Sequence, residues 1–199
     1  MRTDTMQKLT RDKLYTLEKY AEVRNDFRAK VIAHKKHRQV HIGPHASLYF
    51  EDLLTMQYQV QEMLRAEKIF DAEGIAEELS AYNPLIPDGS NWKATFMLEY
   101  SDENERRAAL ARMKGIEDKV WVRVTGFDPV WAIADEDMER DNEEKTSAVH
   151  FLRFELTPDM IKAAKAGAAI GMGIEHPAYT QQVDPLPAEQ RAALLRDLA

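Results

Sequence analysis

The chain of 199 residues contains no cysteine, which excludes disulfides, thiolate zinc sites, iron–sulfur ligation and cysteine nucleophiles. No apolar run approaches the length of about 20 residues that a membrane-spanning helix needs. Charged residues recur from the first residues onward, without the apolar segment of a signal peptide. We therefore expect a cytoplasmic protein that does not enter a membrane.

Motifs that identify common enzyme classes are also missing. The chain has no G-x-S-x-G nucleophile turn, no P-loop, no H-E-x-x-H zinc motif and no G-x-G-x-x-G dinucleotide loop. The glycines of 167–173 fit tight strand packing better than phosphate binding. A ferritin-like di-iron site needs Glu-x-x-His motifs from two helices, and none occurs. The sequence therefore predicts no cofactor.

The net charge of −7 is unevenly distributed. Residues 1–47 hold eleven Lys and Arg against five Asp and Glu, whereas the remainder is strongly acidic. The basic run 28–38 has no interleaved aromatic residues that could stack on bases, and an acidic protein repels a polyanion, so no nucleic-acid partner is expected. We expect the acidic stretch 135–146 either to be mobile or to contact residues 28–38 of the same or a neighbouring chain.

The first ninety residues predict helices. Apolar residues at three- and four-residue spacing indicate a long helix over 10–34, with a threonine as its N-cap. A second helix is expected from residue 47 or 50 to residue 70, and a third over 75–82, where Asn-Pro stops it. Residues 39–42 fit either a last helical turn or a short extended segment. This region of the chain is predicted to form a helical hairpin.

From residue 92 onward, short strands alternate with helices. Two helices are expected, over 102–113 and 158–166, followed by a terminal helix from Pro187. Apolar alternation predicts five strands, over 94–100, 120–124, 130–134, 149–156 and 170–174. This order is close to a split β-α-β (ferredoxin-like) arrangement with one added strand. The predicted fold is α+β, in which a helical region (residues 1–90) packs on an antiparallel sheet region (residues 91–199) in one compact unit.

The predicted helix ending at residue 70 carries polar residues on its apolar side. At about 100° per residue, Glu67 projects onto the apolar face and Arg65 lies at its edge. A buried polar group without a partner costs about 1–3 kcal/mol, so we expect Glu67 to be largely buried and bonded to a basic or amide group. Arg65 is expected to pair with a carboxylate, either a structural one such as Glu78 or that of a ligand.

Four of the six histidines lie close together in the sequence. On one continuous helix His34, His37, His41 and His45 would share a face and could hold zinc, copper or iron. However, Gly43-Pro44 would break that helix, and the neighbouring basic residues would repel a cation. Surface positions are the better interpretation, and the first three histidines stay weak metal candidates.

Five segments resemble an uncharacterised bacterial family, domain of unknown function 3501. They are Phe50-Glu51, Gln59–Glu67, Glu77–Leu79, Tyr82–Pro87 and Val149–Phe154, and the Q-x-Q-E-M-L-R-x-E run in the second is the most specific. Members of that family are often encoded beside a rubrerythrin-like protein and an iron–sulfur oxidoreductase. The resemblance therefore implies a role near peroxide defence and electron transfer, but it implies no catalytic residues. The family pattern around 34–41 is basic, which weakens the metal interpretation further.

Two functions are compatible with these observations. The first is a non-enzymatic accessory protein of a redox or peroxide-defence system, which acts through protein contacts as a homo-oligomer. Its partners would include rubrerythrin-like or iron–sulfur proteins. The second is a metal-dependent or small-molecule enzyme with a site at the helix–sheet junction. The candidate residues of that site are Arg65, Glu67, Glu78, Tyr82 and His45.

Overall fold

The computed structural model describes residues 7–140 and 142–199. The first six residues and Asp141, which belong to the predicted helical region and to the acidic stretch, lie outside the described residues. Within the described residues there are six α-helices and two antiparallel sheets, so the α+β class is confirmed. The helices are α1 (Leu17–Lys35), α2 (Leu53–Ala66), α3 (Ala72–Tyr82), α4 (Glu103–Arg112), α5 (Pro158–Lys165) and α6 (Ala188–Leu195). No helix among these residues is long and apolar enough to cross a membrane.

Side-chain caps define where the first helices begin. Thr16 caps α1 by accepting from the Lys19 amide at 3.2 Å, so the helix starts later than predicted, after a short 3-10 turn at Arg11–Lys13. Asp52 and Thr55 form a reciprocal capping box at the start of α2. Helix α2 spans Leu53–Ala66, so the helix predicted from residue 47 or 50 to residue 70 is too long at both ends.

The strands are β1 (Gln39–Ile42), β2 (Ala46–Phe50), β3 (Asn91–Leu98), β4 (Val120–Val124), β5 (Val130–Trp131), β6 (Ile133–Ala134), β7 (Val149–Glu155), β8 (Ile170–His176) and β9 (Tyr179–Val183). Five form the larger sheet, in the order β1-β2-β3-β7-β6. The other four form the smaller sheet, in the order β5-β4-β8-β9. These two strand orders do not show the predicted ferredoxin-like arrangement.

A hairpin of β1 and β2 interrupts the predicted helical region. The extended alternative for 39–42 is confirmed, but the helix start at residue 47 is wrong, because 46–50 pairs with both β1 and β3. Gly43 allows the tight turn between the strands with φ of 73°. The N-terminal region therefore contributes two strands to the larger sheet as well as helices.

The main core lies between the two sheets. Alternate residues of β2, β3 and β7 point inward, and they include Leu48, Phe50, Phe96 and Phe154. Separate apolar clusters join the first helices to each other: one is centred on α2 and the other on α1. The opposite face of the larger sheet is therefore left to meet the first three helices.

Candidate functional site

A cleft of about 440 Å³ lies where the larger sheet meets the first helices. We call it the junction cleft. Its lining residues come from the end of α1 and just beyond, from β2, α2, β3 and β7, and from the end of α3. They are Lys35, Arg38, Tyr49, Phe50, Glu51, Thr55, Met56, Gln59, Tyr82, Leu85, Thr95, Met97 and Phe151. The volume is within the range of small-molecule sites, about 300–1,000 Å³.

Strand alternation places the sheet residues of the cleft. Leu48 and Phe50 fill the core, so Tyr49 between them points to the other face. Tyr49 pairs across the sheet with Thr95, and Thr95 pairs with Phe151. These three cross-strand neighbours form the floor of the junction cleft.

Some polar groups of the cleft already have hydrogen-bonding partners within the protein, and others do not. Thr95 donates its hydroxyl to Glu51 Oε1 at 2.9 Å. The Tyr49 hydroxyl donates to Glu99 Oε1 at 3.0 Å and accepts from Gln39 Nε2 at 3.0 Å. Among the described residues, the Gln59 side-chain amide has no hydrogen-bonding partner. The cleft therefore combines engaged groups with groups that are available to a ligand.

Arg38 holds one end of the cleft rigid. Its side chain is 2% exposed and donates to the carbonyl oxygens of Phe50, Glu51 and Ala193 and to Asp197 Oδ2 at 2.5 Å. Burial raises the pKa of Asp197 to about 6, although Arg38 acts in the opposite direction. Because the guanidinium is fully engaged, it is a structural part of the cleft wall.

His34 and Asp52 extend this network. His34 Nε2 lies 2.5 Å from Asp52 Oδ2, and Arg38 Nε lies 3.4 Å from the same oxygen. Burial opposes ionisation of Asp52, but Arg38, the Thr55 amide and His34 outweigh it and lower its pKa. The end of α1 and the start of α2 are thus joined by a buried charge network behind the cleft.

The residues predicted for the site do not converge. Tyr82 lines the junction cleft, and Glu78 is half-buried on α3. Arg65 and Glu67 are exposed at the end of α2. His45 stacks on Tyr100 in the β1–β2 turn, with the ring centres 4.0 Å apart. Of the five predicted residues, only Tyr82 lines the cleft, and Arg65, Glu67, Glu78 and His45 do not.

The prediction that Glu67 is largely buried is wrong. Helix α2 ends at Ala66 and Glu67 is its C-cap residue, so the projection at 100° per residue no longer applies. The polar contact expected of this helix is made by Gln61, which is 0% exposed. Its side chain accepts from the Tyr15 amide at 2.6 Å and donates to the Tyr15 carbonyl at 3.3 Å.

The bidentate pair expected for Arg65 belongs to another arginine. Arg24 on α1 donates to both oxygens of Glu62 on α2, at 2.8 and 3.0 Å, and the Tyr20 hydroxyl donates to Oε1 at 2.7 Å. The hydrogen bond from Arg24 is the main reason why the pKa of Glu62 is lowered. Arg65 is close enough to add to this lowering, but it does not join α2 to Glu78.

The four clustered histidines bind four different neighbours. The helix ends at Lys35, so only the first histidine is helical, where it contacts Asp52. His37 lies 3.1 Å from Glu189, His41 is 2.9 Å from the Ser47 hydroxyl, and His45 contacts the Glu99 carbonyl at 3.0 Å. Within residues 7–140 and 142–199, no group of three or more His, Asp or Glu is placed to hold a metal ion.

The acidic stretch is held by arginines outside the run 28–38. Arg140 pairs with Asp135 at 2.9 Å and Asp137 at 2.7 Å and stacks on Phe151. Arg153 pairs with Glu136 at 2.8 Å. Among the described residues, no ion pair joins this stretch to the run 28–38 of the same chain. Contact with that run in a neighbouring chain, and mobility of the stretch, stay predictions.

A buried histidine next to this stretch was not singled out from the sequence. His150 is 0% exposed, lies 2.5 Å from Asp135 Oδ2, and lies 2.9 Å from the Thr146 hydroxyl. The order carboxylate, imidazole and hydroxyl resembles a catalytic triad. Thr146 is only 1% exposed, so a substrate cannot reach it, and we interpret the group as a buried structural network.

Comparison with known proteins identifies relatives of the same architecture. The family model described as "Protein of unknown function (DUF3501)" matches residues 8–198. Among solved structures, the chain is similar to a protein of unknown function from Burkholderia pseudomallei, at 57% sequence identity and with a TM-score of 0.91. That similarity covers 97% of this chain and 100% of the other. A search of curated proteins gave no match. The family resemblance indicated by the sequence is thus confirmed.

Proposed function

The chain belongs to the DUF3501 family of proteins of unknown function, and we propose that it is a binding protein that holds a small organic molecule in the junction cleft. The observation that carries this proposal is the combination of a volume of about 440 Å³ with a mainly apolar wall and a few polar groups. Ligand sites in proteins have this composition. In this role the protein would be a non-enzymatic accessory component.

The rigidity of the wall supports the proposal. Arg38 fixes the β2 end of the cleft through four hydrogen bonds, and Asp52 fixes the start of α2. A site that is already formed before binding loses little conformational entropy when the ligand enters. The half-buried Gln59 faces the same space and could bond to a ligand.

A cavity-filling substitution tests this function. Gln59→Trp would occupy the cleft, and Gln182→Trp is the matched control, because Gln182 is exposed on β9 outside the cleft. The natural chain and both variants are screened by thermal shift against a library of small metabolites. We expect compounds that stabilise the natural chain and the control but not Gln59→Trp. A library without any such compound would contradict the proposal.

The same screen separates a binding protein from an enzyme. The five residues predicted for an enzyme do not converge, and an enzyme at this cleft would instead use Glu51, which accepts from the Thr95 hydroxyl at 2.9 Å and could act as a general base. Each stabilising compound is therefore recovered after incubation and analysed by mass spectrometry. Unchanged compound supports a binding protein, whereas a product that is lost in Glu51→Gln supports the enzyme.

A second candidate function, protein contact, is favoured by a different surface. Phe70 is 76% exposed and borders a groove of about 240 Å³, which is lined by apolar residues such as Tyr15, Ile69 and Ile75 and also by the charged Arg11 and Glu18. We propose this Phe70 groove as the contact for a second copy of the chain or for a rubrerythrin-like or iron–sulfur partner. The setting of peroxide defence comes from the family resemblance alone.

Light scattering tests the contact. Phe70→Glu should lower the molar mass if the chain is a homo-oligomer, whereas Met138→Glu should not, since Met138 is a comparably exposed residue at 60% but lies outside the groove. If the natural chain is a monomer, titration with a purified rubrerythrin-like protein takes the place of light scattering. An unchanged mass together with no binding would exclude this surface as a contact.

A further inference from the structure

Two side chains of opposite charge face the junction cleft without pairing with each other. Lys35, at the end of α1, is half-buried, and its ammonium group lies 5.6 Å from the centre of the Tyr58 ring. Among the described residues, no carboxylate lies within ion-pairing distance of it. Lys35 therefore presents a positive charge that an anionic group of a ligand could neutralise.

Glu51 is the negative counterpart. Its Oε1 accepts one hydrogen bond from Thr95, and Oε2 has no donor within the described part of the chain. The adjacent Arg38 does not neutralise it, because Arg38 bonds only to the main-chain oxygen of Glu51 and directs its charge to Asp197 and Asp52. The carboxylate is therefore available to a cationic group of a ligand.

The two charges select against singly charged ligands. An anion attracted by Lys35 would be repelled by Glu51, and a cation attracted by Glu51 would be repelled by Lys35. A molecule that carries both an ammonium and a carboxylate satisfies both side chains at once, with charge-assisted hydrogen bonds at each end. The charge pattern of the cleft thus favours a zwitterion.

The rest of the wall defines the body of the ligand. Met97 and Phe151 on the sheet, and Leu85 after α3, give the cleft an apolar surface. An apolar side chain packed there would be removed from water, at about 25 cal/mol per Å² of buried surface. We infer that the junction cleft binds a free α-amino acid with an apolar side chain. This inference rests on the proposed function and specifies its ligand class.

The test uses the complete chain and three forms of each ligand. L-Methionine, L-leucine and L-phenylalanine are titrated by calorimetry, each as the free amino acid, as the amide without a carboxylate, and as the N-acetyl derivative without an ammonium. We expect the free form to bind at least about tenfold more tightly than either derivative, because each derivative loses one charged hydrogen bond. Equal binding of the three forms would overturn the inference.

Two variants assign each charge to its side chain. Lys35→Gln should weaken the free amino acid about tenfold or more but strengthen the amide, whose ammonium Lys35 repels. Glu51→Gln should weaken the free amino acid similarly but strengthen the N-acetyl form, whose carboxylate Glu51 repels. Lys36→Gln is the matched control, since Lys36 is exposed and outside the cleft, and it should bind as the natural chain does. Circular dichroism verifies folding, and if a variant does not fold, the three ligand forms on the natural chain still decide.

The two proposals fail in different ways. Suppose that other metabolites bind, that Gln59→Trp abolishes their binding, and that no amino acid binds. The proposed ligand class is then wrong, but the proposed binding function stands. If amino acids bind but Lys35→Gln and Glu51→Gln affect all forms equally, the assignment of the charges is wrong. If neither amino acids nor metabolites bind, both proposals are overturned.

Discussion

Replacing Arg38 should destabilise the protein more than almost any other single change near the cleft. Its guanidinium is 2% exposed and contacts the Asp197 carboxylate, which is 4% exposed. It also bonds to the carbonyl oxygens of Phe50 at the end of β2, of Glu51 after it and of Ala193 in α6. Arg38→Met retains much of the apolar stem but leaves all of these acceptors without their donor.

The expected magnitude follows from the buried charge. Breaking a buried ion pair by removing one partner costs about 3–5 kcal/mol, because the other charge stays buried without compensation. A domain of this size is usually stable by about 5–15 kcal/mol, so Arg38→Met should remove a large fraction of the free energy of unfolding. Removing both charges in Arg38→Met/Asp197→Leu should cost less than Arg38→Met alone.

Urea denaturation followed by circular dichroism measures these differences. Burial already raises the pKa of Asp197 to about 6, and loss of Arg38 should raise it further. A carboxyl group whose folded pKa lies above the unfolded value, about 3.9, stabilises the fold at low pH and loses that contribution as pH rises through the folded pKa. The penalty of Arg38→Met should therefore be smaller at pH 5 than at pH 8. A cost below about 1 kcal/mol at pH 8, or a double variant worse than Arg38→Met alone, would refute this reasoning.

Three further substitutions test other contacts by the same denaturation assay. Glu62→Gln should cost about 1–2 kcal/mol at pH 7, whereas Glu67→Gln at an exposed position of the same region should change stability by less than about 0.5 kcal/mol. Because the pKa of Glu62 is lowered, this difference should shrink as pH falls from the ordinary pKa of a glutamate through the lowered pKa of Glu62. A difference that stays the same at every pH would contradict the pairing. Gly43→Ala should cost about 1–3 kcal/mol, since its φ is 73° and a Cβ would lie 2.6 Å from Tyr179 Oη. In Gly126→Ala the new Cβ meets no atom within 4 Å, so this control should cost less. Equal costs of the two variants would refute the steric overlap with Tyr179. Tyr179→Phe should cost about 1–3 kcal/mol, because its hydroxyl donates to the Ile42 carbonyl at 2.6 Å, and an unchanged midpoint would show that this bond contributes nothing.

Local signals in the sequence were sufficient for most elements after residue 91. The alternation of Val120–Val124 predicted β4 with both ends correct, and Thr157-Pro158 predicted the start of α5. Among the first helices, Asn83-Pro84 marked the end of α3. These signals depend on a few neighbouring residues, so no knowledge of distant contacts is required.

Elements that depend on distant partners were predicted poorly. Residues 46–50 form an apolar run that periodicity alone cannot assign to a helix or a strand, and pairing with β3, more than forty residues away, decides for a strand. The run 130–134 was expected to be one strand, but Ala132 separates β5 in the smaller sheet from β6 in the larger one. The last strand, β9, was missed because its burial pattern is mostly exposed.

The junction cleft shows why the site could not be read from one helix. The sequence pointed to the end of α2, where Glu67 was expected to be the buried polar group. The charges that face the cleft instead come from Lys35 at the end of α1 and from Glu51 after β2, and the sequence placed the start of a helix at residue 47 or 50, within β2. As a strand, β2 alternates, so Tyr49 reaches the cleft floor while Phe50 fills the core. The assignment of five residues to a strand therefore determines which side chains form the cleft floor.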